Sequence, residues 1–261
     1  LSAKIAGKTF RDYIIIALFG TALGPLVSFI VFEFGLTGFT AALAGILGGI
    51  ITGYLLPAIA VSMLNLHQGY NLYNMGLSCG FFALFAASLI KATGHQFAGA
   101  MVWYSEPSLV LILLVPVISI VLIIAGLISR QGNNIREFLE IQKLPGRLPS
   151  DFMDLSSMSG AFLNSGILGI IGSLYIYFVG GDFNGPIIGG LLTVMGFGAF
   201  GTHLKNSWPV VLGIVGSTLV FGYNLSDPGP LLAALFGTTL APLAGQFGVI
   251  TGIIAGFIHL F

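Results

Sequence analysis

From Ser108 to Ile128 no side chain carries a charge. A helix rising 1.5 Å per residue needs about 20 apolar residues to cross the hydrocarbon core of a bilayer, and this run supplies them. Other uncharged runs follow the same logic at Tyr13–Phe32, Thr37–Ala60, Met75–Ile90 and Met158–Val179. Shorter ones lie at Ile187–Gly201, Pro209–Gly222, Leu231–Gly245 and Phe247–Phe261. Charged residues are 7% of the chain, against roughly 25% in soluble domains, too few to cover a water-exposed surface. The expected fold is all-α: a polytopic transmembrane helical bundle in a lipid bilayer. The 38 glycines suit closely packed membrane helices. Proline is expected to kink or break the runs at Pro57 and Pro116. Trp103 and Tyr104 are expected as interfacial anchors.

Between the second and third runs lies Asn65 to Gly80, the densest cluster of hydrogen-bonding side chains outside the obvious loops. As a helix it would place His67, Asn71, Asn74 and Ser78 on one face. Gly69 and the asparagines could instead break the helix into a re-entrant segment lining a cavity, or the stretch could be a water-facing loop. Polar groups at membrane depth are costly unless satisfied, which favours a solute pathway there. His67, Gln68, Asn71, Tyr73 and Asn74 are the expected lining residues, with Asn184 as a counterpart from the second half.

Ala17-Leu18-Phe19-Gly20-Thr21-Ala22-Leu23-Gly24-Pro25-Leu26 recurs as Ala234-Leu235-Phe236-Gly237-Thr238-Thr239-Leu240-Ala241-Pro242-Leu243, with eight of ten positions identical. Phe34-Gly35 and Ala44-Gly45 then correspond to Phe247-Gly248 and Ala255-Gly256. The basic flank Lys4, Lys8 and Arg11, and the loop containing Arg130, Arg136, Lys143 and Arg147, are both expected in the cytoplasm by the positive-inside rule. Counting one crossing per run then sets the two copies in opposite directions, an inverted repeat with short or re-entrant helices. The expected organisation is a first membrane half at 1–129, a cytoplasmic polar loop at 130–155 and a second half at 156–261. Asn134–Lys143 is expected as a short helix in an otherwise solvated loop. The repeat also leads us to expect a longer protein, with a second His/Asn/Tyr-rich stretch beyond Phe261.

The side-chain inventory restricts the chemistry. Cys79 stands alone, so no internal disulfide forms, and His67, His95, His203 and His259 have no zinc-site spacing. No phosphate-cradling Gly-x-x-x-x-Gly-Lys loop exists. Net charge is zero, which offers nucleic acid nothing to bind. Neither cofactor nor metal is expected. Acidic and basic residues fall at run ends or in loops, so a coupled ion carrier is disfavoured and a neutral polar solute favoured.

Leu66-His67-Gln68-Gly69-Tyr70-Asn71-Leu72-Tyr73-Asn74-Met75-Gly76, Phe200-Gly201-Thr202-His203-Leu204-Lys205-Asn206-Ser207-Trp208-Pro209 and the two Phe-Gly-Thr-x-Leu-x-Pro-Leu copies resemble a bacterial multipass membrane family defined as a domain of unknown function. The resemblance covers most of the chain and implies no substrate. Tyr70–Gly76 and Asn184–Gly190 are also similar to the re-entrant segments of urea-channel-like proteins, although Asn184-Gly185-Pro186 departs from the Asn-Pro order there. The expected function is a transporter or channel for a small, neutral polar solute in the bacterial inner membrane, not an enzyme. Homo-oligomerisation stays open. Two other readings remain: an intramembrane enzyme with His67 as general base beside Asn71, and a non-transporting scaffold that meets a partner through 130–155.

Overall fold

The computed structural model describes residues 2–95, 102–129 and 134–260, and all regular structure among them is helical. Six helical stretches are long and apolar enough to cross a membrane: Phe10–Glu33, Gly38–His67, Asn74–Ala92, Leu109–Ile128, Met158–Phe178 and Pro228–Phe247. The protein is a multi-pass membrane protein built as a helical bundle. It divides into two compact units: Leu1–Gln68 with Tyr73–Ala100, and Gly69–Leu72 with Met101–Phe261. Part of the expected loop at 92–107, and Arg130, lie outside the described residues.

The first unit contains α1 (Ser2–Ile5), a 3-10 turn at Phe10–Tyr13, α2 (Ile14–Gly20), a 3-10 turn at Thr21–Leu23, α3 (Gly24–Glu33), α4 (Gly38–His67) and α5 (Asn74–Ala92). Its core joins Leu23, Leu56, Ala60, Met75, Cys79 and Phe82. The expected break at Pro57 is absent, and α4 runs unbroken through it. The helix ends instead at His67, because Gln68 and Gly69 take left-handed backbone at φ 51° and 84°. A continuous helical face through His67, Asn71, Asn74 and Ser78 therefore does not form.

The second unit contains α6 (Leu109–Ile128), α7 (Asn134–Ile141), α8 (Phe152–Leu155), α9 (Met158–Phe178), α10 (Gly185–Phe197) and α11 (Leu204–Val220). It continues through α12 (Pro228–Phe236), a 3-10 turn at Gly237–Leu240, α13 (Ala241–Phe247) and α14 (Val249–His259). Helix α6 runs through Pro116 and packs along α9, so it belongs with this unit rather than with the first membrane half. Val115, Leu168, Ile187, Leu191 and Leu231 form its core. The connection after α6 is less solvated than expected, since Ile141 and Phe152 are both fully buried.

Buried amides tie that connection to the helices. Asn164 of α9, fully buried, accepts from Gln142 Nε2 at 2.9 Å and donates to the carbonyls of Gly198 and Thr202 at 2.7 and 2.8 Å. His203 caps α11, which therefore begins five residues before Pro209, where the apolar run alone would start it. The His203 backbone N–H donates to Asn206 Oδ1 at 2.8 Å, and the Asn206 N–H donates to His203 Nδ1 at 3.3 Å. On the other side of the ring, Nε2 donates to the Leu144 carbonyl at 2.8 Å. These partners require the neutral tautomer with its proton on Nε2.

The sequence repeat is also a repeat of backbone geometry. Leu23 and Leu240, at the ends of the two 3-10 turns, have φ, ψ of −89°, 6° and −89°, 5°. Thr21 and Thr238 donate their hydroxyls to the carbonyls of Leu18 and Leu235 at 2.6 and 2.7 Å. The likeness extends upstream of the sequence match. Thr9 N–H donates to Asp12 Oδ2 at 2.9 Å, as Asn224 N–H does to Asp227 Oδ2 at 2.9 Å. Downstream the copies differ in length. Val27 stands against Gly45 and Gly49, whereas its counterpart Ala244 stands against Gly252. The first hairpin is thus at least a turn longer, and the Gly45–Gly256 pairing from sequence shifts accordingly.

Two outcomes are expected. Replacing Asn164→Ala leaves the Gln142 amide and two carbonyls unpartnered, and should cost about 2–4 kcal/mol in denaturant unfolding of the detergent-solubilised protein. Burial, ahead of the nearby Lys205 charge and against the Leu144 bond, pushes the His203 imidazole from 6.5 down to about 4. Between those values the unfolded chain takes up a proton that the folded chain refuses, so stability falls as pH drops through that window. The wild type should therefore lose stability relative to His203→Gln between about pH 6.5 and 4, with no difference in slope above it.

Candidate functional site

The span Pro228–Phe247 is interrupted near its middle. Gly237 lacks a Cβ, the Thr238 hydroxyl bonds back to Leu235, and Pro242 has no N–H to continue an α-helical ladder. Together they convert Gly237–Leu240 into a 3-10 turn. The Thr239 carbonyl then accepts from outside the helix, taking the Leu72 N–H at 3.0 Å. Beside it, Thr239 Oγ1 donates to Asn71 Oδ1 at 2.6 Å. Asn71 and Leu72 thus make a side-chain and a backbone bond to one residue, Thr239, at the point where a membrane span is broken.

The four residues Gly69–Leu72 are seated from two further directions. The Gly69 carbonyl accepts from the Leu148 N–H at 3.0 Å. A Cβ at Gly69 would strike the Leu148 carbonyl, so glycine is required there for close approach as well as for its positive φ. The Tyr70 ring lies 5.4 Å from that of Phe247, and the Arg147 guanidinium sits 4.5 Å over its face. A guanidinium so placed is attracted by the ring quadrupole.

A cavity of about 360 Å³ lies against the same broken span. Tyr175 of α9, Ser207 and Trp208 of α11, and Thr238 of the 3-10 turn line it, among apolar side chains. The Ser207 hydroxyl donates to the His203 carbonyl at 2.9 Å, and the Thr238 hydroxyl to Leu235. The Tyr175 hydroxyl is buried and has no hydrogen-bond partner among the described residues. The cavity wall is almost entirely apolar, since the Ser207 and Thr238 hydroxyls are turned to backbone carbonyls and the buried Tyr175 hydroxyl is not open to it. Among the described residues, no side chain that is ionised at neutral pH lines it.

The residues selected from sequence are distributed differently from the expectation. His67 Nε2 donates to Asn74 Oδ1 at 2.9 Å, and Asn74 Nδ2 donates to the Ala60 carbonyl at 3.3 Å, joining the end of α4 to the start of α5. Gln68 is exposed at the left-handed cap of α4, and Tyr73 occupies the N-cap position of α5. Asn71 meets the broken span. His67 bonds to Asn74, and Asn71 to Thr239. Asn184 is 2% exposed and caps α10: its Oδ1 accepts from the Ile187 N–H at 3.2 Å and its Nδ2 donates to the Tyr104 carbonyl at 3.1 Å. With both ends of the amide engaged, it is a helix cap and not a lining group. Trp103 donates its indole N–H to Asp182 at 2.9 Å, which ties it to the α9–α10 turn.

Sequence reasoning missed Thr239 and Tyr175. A signal for the first was present: Ala22/Thr239 is one of two mismatches in the ten-residue repeat, and it adds the hydroxyl that meets Asn71. Tyr175 carries no such mark.

Comparison with curated proteins and with solved structures returned no match. A family model described as "Protein of unknown function (DUF1576)" matches residues 1–92 and 130–261. With most of its length matched, including both repeat copies, the polar stretch and the α10–α11 turn, the chain belongs to the DUF1576 family.

Proposed function

We propose that the protein moves a small, neutral polar solute across the membrane, with the cavity beside Gly237–Leu240 as its binding site. The observation that carries this reading is the membrane span broken at Gly237–Leu240, whose Thr239 carbonyl and hydroxyl bond outside the helix, with a cavity lying against it. Discontinuous membrane helices recur at transporter sites because they free backbone groups at depth. The six candidate spans carry Asp, Glu, Lys or Arg only at their ends, at Arg11, Asp12, Glu33 and Lys91, which favours an uncharged solute over a coupled ion. Asn71 and Thr239 hold the polar loop at the break and serve as positioning residues. The basic N-terminal flank and the Arg136–Arg147 segment favour a cytoplasmic placement for both, in a bacterial inner membrane.

Proteoliposomes of the purified chain provide the test, with a panel of urea, glycerol and small aliphatic amides. At least one solute should equilibrate faster than in protein-free vesicles. Thr239→Val, which removes the hydroxyl that meets Asn71 at the break, should slow it by about tenfold. Asn71→Ala should slow it with the thermal transition unchanged to within a few degrees. Equal rates in protein-containing and empty vesicles across the panel would sink the proposal.

A further inference from the structure

The two repeat copies present the same groove in opposite conditions. In the second unit, α11 fills it. Val210 and Ile214 of α11 form one buried cluster with Ala234 and Ala244. A Cβ on Gly237 would meet Ile214, and a Cβ on Gly256 would strike the Val210 carbonyl. Ala234, Gly237 and Ala244 correspond through the repeat to Ala17, Gly20 and Val27. Those three residues line a cavity of about 400 Å³ in the first unit, opposite Gly49, Thr52 and Gly53 of α4. Ala234, Gly237 and Ala244 are buried, whereas Ala17 is exposed and Gly20 and Val27 are half-buried. Cβ atoms added at Gly24 and Gly53 would meet nothing.

The geometry points to this groove as a docking site for one further transmembrane helix of the α11 kind. That occupant presents a glycine beside β-branched residues, in the arrangement of Val210, Gly213 and Ile214. In α11, Gly213 lets the backbone come against that of α14, where a Cβ would strike the Ile253 carbonyl. Small residues permit such approach and gain dispersion contacts that lipid chains do not supply. Direction follows as well. Pro209 faces Gly252 and Gly213 faces Phe257, so α11 runs parallel to α14. The occupant of the first groove accordingly runs parallel to α4.

The probe is a synthetic helix with the sequence Leu204–Val220, bearing a photo-reactive diazirine residue in place of Val210. It is mixed with the full chain in phospholipid nanodiscs, irradiated, and the adducts are mapped by mass spectrometry. Adducts are expected within 14–57, around Gly20, Gly49 and Gly53. A Cβ at Gly53 would meet no other atom, so Gly53→Leu should keep a melting temperature within a few degrees of the wild type while lowering adduct yield by about tenfold. A probe carrying Gly213→Leu should lose the adduct in the same way. Adducts scattered along the chain, adducts to lipid alone, or displacement of the probe by a second copy of the chain would each overturn the assignment.

Discussion

Backbone satisfaction in an apolar solvent is the constraint on which the structure depends. A membrane span that stays α-helical meets its own hydrogen-bonding needs, and one that breaks must find partners elsewhere. Two spans here break at the same point of the same repeated sequence, each through a glycine, a back-bonding threonine and a proline two residues into the next helix. At the second break, the Thr239 carbonyl and hydroxyl are met by the Leu72 N–H and the Asn71 amide. The polar stretch that interrupts the apolar sequence after α4 therefore has a structural cause: its central residues complete a broken helix. The Tyr175 cavity lies along the same break, so the need for partners and the space for a solute occur together.

The buried amides of the second unit act in the same way one layer further out. Asn164 reaches from α9 to Gln142 and to the carbonyls that close the α10–α11 turn. His203 and Asn206 satisfy each other's backbone while His203 holds Leu144. A fully satisfied polar network in a low-dielectric setting specifies one arrangement, because every alternative leaves a group unpaired. It also brings the Pro145–Leu148 segment to Gly69, which is how a connection that looks solvated in sequence becomes part of the seat for Tyr70 and Asn71.

Much of the fold was legible before any coordinates. The uncharged runs placed the long helices to within a few residues, except that α4 runs seven residues past Ala60 to His67, because run length and lack of charge answer directly to the bilayer. The repeat was legible too, and its geometry proved more alike than its letters, extending to Thr9–Asp12 and Asn224–Asp227 where no identity beyond the aspartate survives. Proline misled in both directions. Pro57 lies inside an unbroken helix, and Pro209 lies inside α11 because His203 and Asn206 start that helix earlier. Neither outcome depends on the proline, so neither could be read from it.

Sequence alone determined that this chain lives in a membrane, that it is helical, and that one motif is used twice, since each follows from local composition and period. Which polar groups meet was decided only in three dimensions. Asn71 and Thr239 are 168 positions apart, and Asn184, equally polar on paper, is occupied in capping a helix. A side chain's type states which bonds it can make, and packing alone states which partners come within reach.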